Sequence, residues 1–279
     1  MNASSPAAAA AAASAPPAAL LDRHDDDGVA TLTLNNAASR NSLSEAMLAA
    51  LSQAFGAIAA DRSVRAVVLT ASGPVFSSGH NLKEMTARRA DPDRGKAYFA
   101  DILARCSAMM QQIVTLPQPV IAAVQGTATA AGCQLVASCD LAIASSAARF
   151  CTPGVHIGLF CSTPMVALSR NVAPKHAMEM LLTGEMIGAE DAFRFGLVNK
   201  VVPAGEEHGA AISLARIIAS KSSLTVRIGK RAFYEQLDMT LAEAYRHASA
   251  VMTENMLARD AEEGIGALLA KREPRWEDK

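Results

Sequence analysis

Aromatic residues make up only 4% of this 279-residue chain, with a single tryptophan. Surfaces that stack nucleic-acid bases need such rings, so a base-stacking role is excluded. Positive charge is not in excess either: 26 Lys and Arg against 27 Asp and Glu leave a net charge of −1. The basic footprint of a nucleic-acid partner is missing. The five cysteines (Cys106, Cys133, Cys139, Cys151, Cys161) are an odd number without a repeated C-x-x-C spacing. That argues against a disulfide framework and a zinc site, and for reduced, packed thiols in a reducing compartment. Outside the N-terminal alanine tract no apolar run approaches the ~18 residues of a membrane span. The tract MNASSPAAAAAAASAPPAALL lacks the Lys/Arg of a secretory leader and the arginines of a mitochondrial presequence, and Pro16 and Pro17 interrupt any helix. Residues 1–22 therefore read as a disordered tail, and the chain as a cytoplasmic protein with no membrane partner.

What is present is an alternation of strand-like and helix-like segments. Val29–Leu34 alternates like a strand and ends at the turn signal Asn35-Asn36. Ser42 or Ser44 can cap a helix to Ala60 in which Leu48, Leu51, Phe55 and Ile58 recur at helical spacing. The runs AVVLT, from Ala66, and VIAAV, from Val120, are apolar at consecutive positions, as in parallel strands buried on both faces. Residues 84–115 read as largely helical, and residues 206–279 as helix after helix. The expectation is an α/β core over 23–205 followed by a C-terminal helical region.

Two turns rich in small residues each follow a buried strand and precede a helix: SSGHN, from Ser77, and TATAAGCQ, from Thr127. Such turns expose successive main-chain N–H groups at the positive end of a helix dipole, where they bind anionic oxygen. A dinucleotide loop is a poor alternative, because G-x-G-x-x-G and its acidic partner are missing. No Ser–His–Asp set follows from spacing.

In order along the chain, FSSGHNLKEM, VIAAVQGTATAAGCQLVASCDLAIAS, ARFCTPGVHIGLFCSTP and LLTGEMIGAEDAFRFGLVNKVVP resemble the motifs of the crotonase superfamily, the enoyl-CoA hydratase/isomerase group. The matches run from about residue 28 to the C-terminus. The resemblance implies a spiral of ββα units, a homotrimer or homohexamer assembled through the C-terminal helices, and an acyl-CoA substrate. It implies no cofactor beyond the coenzyme A of that substrate, and no metal. By the same resemblance, the main-chain N–H groups of His80 and Ala131 form an oxyanion hole for the thioester carbonyl. Ser78, His80, Asn81, Leu82, Lys83 and Lys271 are then the coenzyme A-binding positions.

The departures from the motifs bear on the reaction. The two glutamates with which such hydratases position and deprotonate water fall on Gln134 and Gly154. Glutamine can hold a water but not take its proton, and glycine can do neither. Loss of a positioned acid/base group forfeits roughly 10²–10⁴ in rate. Isomerisation, decarboxylation or thioester hydrolysis is therefore expected in place of hydration, and a non-catalytic acyl-CoA binder would keep the same cradle. His80, His156, Cys161 and Ser162 are the remaining polar candidates near these motifs, each also readable as a packed or solvent-facing side chain. Asp140 reads better as a local hydrogen-bonding residue than as part of a site.

Overall fold

The computed structural model describes residues 19–279; the expected tail therefore lies almost wholly outside the described residues. Its boundary at residue 22 does not hold, because the first strand, β1 (Leu21–Asp26), begins inside it. Every residue of this strand but Leu21 is exposed, so no apolar alternation marked it. The chain continues through β2 (Val29–Leu34), α1 (Glu45–Ala60), β3 (Ala66–Ala71), β4 (Val75–Ser77), α2 (Leu82–Ala87) and α3 (Lys96–Thr115). Then come β5 (Val120–Val124), β6 (Thr127–Thr129), α4 (Ala131–Ser138), β7 (Leu141–Ser145), β8 (Arg149–Cys151), α5 (Ser162–Asn171) and α6 (Pro174–Thr183). The last elements are β9 (Ile187–Gly188), α7 (Ala189–Phe195), β10 (Lys200–Val202), α8 (Glu207–Ala219), α9 (Ser223–Gln236), α10 (Leu241–Met256) and α11 (Arg259–Leu269).

The strands form a six-stranded sheet, β1-β2-β3-β5-β7-β10, and a four-stranded sheet, β4-β6-β8-β9. Pairs β3/β4, β5/β6 and β7/β8 each place one strand in either sheet before a helix follows. This is the expected spiral of ββα units. Within the large sheet all pairings after β1/β2 are parallel.

The consecutive apolar runs are explained by burial on both faces. On β3, Val67 and Leu69 face the core shared with α1, α3 and α4, while Ala66 and Val68 face a second core. On β5, Val120, Ala122 and Val124 take the first face, and Ile121 and Ala123 the second. Ala211 and Ala215 of α8 close that second core. The boundary at residue 205 therefore cuts off a helix that the sheet needs. The appended helical part is α9–α11.

The same arrangement positions the two turns. β3 and β5 are parallel neighbours, with Leu69 opposite Ala122. The strands that follow them, β4 and β6, are paired as well, with Val75 opposite Thr127. Both turns are thus carried to the carboxyl ends of adjacent parallel strands, where ligands of open α/β sheets bind.

Candidate active site

Gly79 and Ala131 meet at the point where the two turns touch. Gly79 has φ +81°, a conformation open to glycine, and a Cβ there would stand 3.0 Å from the Ala131 nitrogen. Gly132 is tied just as closely to the first turn: its Cβ would fall on the carbonyl oxygen of Ser77. Thr129 Oγ1 donates to the Ser78 carbonyl at 3.1 Å, adding a polar stitch. Among the described residues the main-chain N–H groups of His80 and Ala131 donate to no hydrogen bond. Two free donors therefore sit on adjoining turns, one of them at the N-terminus of α4.

A third segment holds the first turn in place. Leu43 N–H donates to the Gly79 carbonyl at 2.8 Å and Ser78 N–H to the Arg40 carbonyl at 3.0 Å. The buried Asn41 side chain donates to the carbonyls of Ser72 and Val75 at 2.9 and 2.7 Å. Ser77 Oγ in turn donates to the Asn41 carbonyl at 2.8 Å. The sequence reading missed Asn41, and a lone asparagine in a loop carries no pattern that could have found it.

Of the expected coenzyme A-binding positions, Ser78, His80, Asn81, Leu82 and Lys83 lie together on the first turn. Asn81 is the N-cap of α2: its Oδ1 accepts from Lys83 N–H at 3.1 Å, and its Nδ2 donates to Glu84 at 2.9 Å. Leu82 and Lys83 are exposed. Lys271 is separate in sequence and structure, just beyond α11, with its N–H on the Leu268 carbonyl. The His80 ring is largely buried, its Nε2 has no hydrogen-bond partner, and burial pushes its pKa below the ordinary value.

Gln134 lies one helical turn beyond Ala131. It is only 4% exposed, and its Oε1 has no partner. Gly154 is packed in a short 3-10 turn, and a Cβ on it would meet Leu159 O at 2.8 Å and Cys161 Sγ at 2.9 Å. The volume from which a glutamate would grow thus holds a thiol. Cys161 is the N-cap of α5. Burial pushes its pKa up, and the Gly154 N–H at the sulfur pulls the other way.

The other candidates separate from this cluster. His156 is exposed and packs on Gly184, the left-handed C-cap of α6. Ser162 Oγ donates only to the Phe160 carbonyl, at 3.4 Å. Asp140 accepts from Lys230 Nζ and Val120 N–H, each at 2.7 Å, and from Tyr234 OH at 2.9 Å. Its partners on α9 make it a fastening rather than a local turn. Among the described residues no group of three or more His, Cys, Asp and Glu side chains is placed to hold a metal ion.

The enoyl-CoA hydratase/isomerase family model matches residues 24–279, all but the first five of the described residues. The chain belongs to the enoyl-CoA hydratase/isomerase family. Human enoyl-CoA hydratase domain-containing protein 3, mitochondrial, is 48% identical over 250 residues, covering 90% of this chain and 81% of its own. The crystal structure of an enoyl-CoA hydratase from Mycobacterium smegmatis matches with a TM-score of 0.88 at 51% identity, covering 93% of this chain and 99% of the other. The crystal structure of the human domain-containing protein 3 also gives a TM-score of 0.88, at 46% identity, covering 92% and 100%. The crotonase fold and the likeness to this subgroup are thereby established. The names of the human, rat, mouse and Xenopus laevis relatives place those proteins in mitochondria. They overturn the expectation of a cytoplasmic protein, which rested on a shortage of arginine in the tail.

Proposed function

We propose that this family member binds acyl-CoA thioesters and polarises their carbonyl between the N–H groups of His80 and Ala131. The observation that carries the reading is the pair of unpartnered main-chain donors on touching turns. Such donors stabilise the charge that grows on the thioester oxygen as the α-carbon becomes enolate-like, and removing one typically costs roughly 10²–10³ in rate. A two-glutamate water site is missing, since Gln134 cannot take a proton and Gly154 is walled by Cys161. The reaction class proposed is therefore enolate or acyl chemistry without added water at the double bond: isomerisation, decarboxylation or thioester hydrolysis.

A panel of acyl-CoAs tests this, with binding followed by calorimetry and turnover by chromatography. Wild type is expected to bind and to turn over at least one thioester, without the hydration rate of an ordinary hydratase. A protein that binds every thioester and turns over none is a binder only. Fast hydration would overturn the reading of Gln134 and Gly154. Restoring hydration takes three changes, Gln134→Glu, Gly154→Glu and Cys161→Ala, because the thiol must leave before a glutamate fits. The proposal includes a homotrimer or a dimer of trimers. Leu241, Leu257, Leu268 and Leu269, on and beside α10 and α11, are each more than three-quarters exposed and would be covered. Light scattering that gives a monomer at micromolar concentration would remove that part.

A further inference from the structure

The peptide that joins Gly79 to His80 is held at one side only. Its carbonyl accepts from Leu43 N–H at 2.8 Å, while its N–H donates to nothing among the described residues. The described chain has no cis peptide bond, and in a planar trans peptide the carbonyl and the N–H point in opposite directions. Fixing the Gly79 oxygen on Leu43 therefore turns the His80 N–H to the side away from residues 40–43. Leu43 and His80 are also paired as an isolated parallel bridge, so backbone register sets this direction. The Ala131 N–H is directed by the same rule. The carbonyl of its peptide, on Ala130, accepts from Gln134 N–H at 3.0 Å in the first turn of α4, and the N–H points off the helix end.

What fixes residues 40–43 is Asn41, which is 0% exposed and uses every polar atom it has. Its N–H donates to the Asn36 carbonyl at 2.9 Å, and its Oδ1 accepts from Asn36 N–H at 2.8 Å. Its Nδ2 donates to the carbonyls of Ser72 and Val75, one on each side of the crossing from β3 to β4. Its own carbonyl accepts from Ser77 Oγ at the end of β4. Arg40 and Asn41 are both left-handed, with φ +57° and +49°, a conformation that asparagine adopts more readily than most residues. The bonds to the first turn leave from either side of Asn41: the Arg40 carbonyl accepts from Ser78 N–H, and Leu43 N–H donates to Gly79. The Asn41 side chain thus sets the register of this segment against the end of β4, and that register directs the donor.

We propose that Asn41 is a positioning residue: acting through Leu43 and Gly79, it aims the His80 N–H at the thioester carbonyl. The inference rests on the acyl-CoA reading above and names the side chain on which its first donor depends. Direction matters because a hydrogen bond weakens steeply as it bends, and an oxyanion donor works by being in place before the charge develops.

The test reads the carbonyl itself. Acetyl-CoA isotopically labelled at the acyl carbonyl is bound to the full-length protein, and difference infrared spectra follow the carbonyl stretch while calorimetry measures binding. Wild type is expected to lower the stretch relative to free acetyl-CoA. Asn41→Gly keeps the left-handed backbone and removes the clamp; it is expected to bind through the other coenzyme A positions with most of that lowering lost. Ser77→Ala, which removes only a hydroxyl from the same network, is expected to lose a smaller part and keeps the test open if Asn41→Gly folds poorly. For a thioester that wild type turns over, kcat in Asn41→Gly is expected to fall by up to roughly 10²–10³, the cost of losing one donor outright, with KM changed less. Lys230→Met, destabilised far from the turns, is expected to keep the wild-type stretch. A wild-type stretch in bound Asn41→Gly or Ser77→Ala, or an equal loss in Lys230→Met, overturns Asn41 as the positioning residue. Wild type that binds acetyl-CoA without lowering its stretch removes the donor pair and this role together, and wild type that binds no acyl-CoA removes the underlying reading, so the failures are distinguishable.

Discussion

Lys230 and Asp140, ninety positions apart, form an ion pair at 2.7 Å with both side chains largely buried. Lys230 Nζ also donates to the carbonyls of Ile113 and Gln118 at 2.9 and 3.0 Å, and Tyr234 completes the shell of Asp140. This cluster ties α9 to the end of α3 and the start of β5. Burial lowers the lysine's pKa, and the aspartate beside it works most strongly against that. Lys230→Met is expected to destabilise the fold by about 3–5 kcal/mol, because Asp140 is left charged and unpaired. The double variant with Asp140→Asn is expected to lose less than the two single losses combined. Urea denaturation measures both; additive losses would show that the pair is not coupled.

Contact between the turns depends on Gly132. A methyl there would fall on the backbone oxygen of Ser77, which cannot rotate away. Gly132→Ala is expected to cost about 1–3 kcal/mol by overpacking and to abolish acyl-CoA binding as the two donors part. Gly209 in α8 is a control, since nothing lies within 4 Å of its missing Cβ. Gly209→Ala is expected to stabilise by roughly 0.5–1 kcal/mol and to leave binding unchanged. Similar behaviour of the two variants in melting and calorimetry would contradict the contact.

Ala130, the residue between the turn and α4, has φ +50° and ψ −120°. This region is open to glycine and costs other residues about 1–3 kcal/mol. Its N–H is held on the Cys151 carbonyl at 3.0 Å, so the strain persists in the folded state. Ala130→Gly is expected to stabilise by about 1 kcal/mol after the larger backbone entropy of the unfolded chain is counted. A fall in urea midpoint would show that the turn relaxes without strain.

His80 makes stability pH-dependent in a definite direction. Its folded pKa lies below the ordinary 6.5 because the ring is buried. The unfolded chain therefore binds the proton more readily, and the contribution is complete above about pH 6.5 and lost as pH falls through the folded value. Replacing His80 with Gln removes this titration. The stability difference between wild type and His80→Gln is expected to shift against wild type between about pH 7.5 and about pH 5. A difference that does not change with pH would mean the ring is solvated.

The sequence by itself determined the order of strands and helices around the two turns, because burial on both faces makes β3 and β5 continuously apolar and because Ser44 and Gly184 mark helix ends by their local chemistry. It also determined the family, since the motifs run in order through the core. Other features had no local signature. The mostly exposed strand β1 has no apolar alternation, and α8 is amphipathic like the helices after it, so only the sheet face it covers decided that it belongs to the core. Asn41, Lys230 and Asp140 act on segments far away in the chain, and a single polar residue does not name a distant partner. Tertiary structure alone decided that Cys161 fills the space beside Gly154. Six residues of intervening chain must fold back on themselves before a sulfur can stand where a carboxylate would have begun.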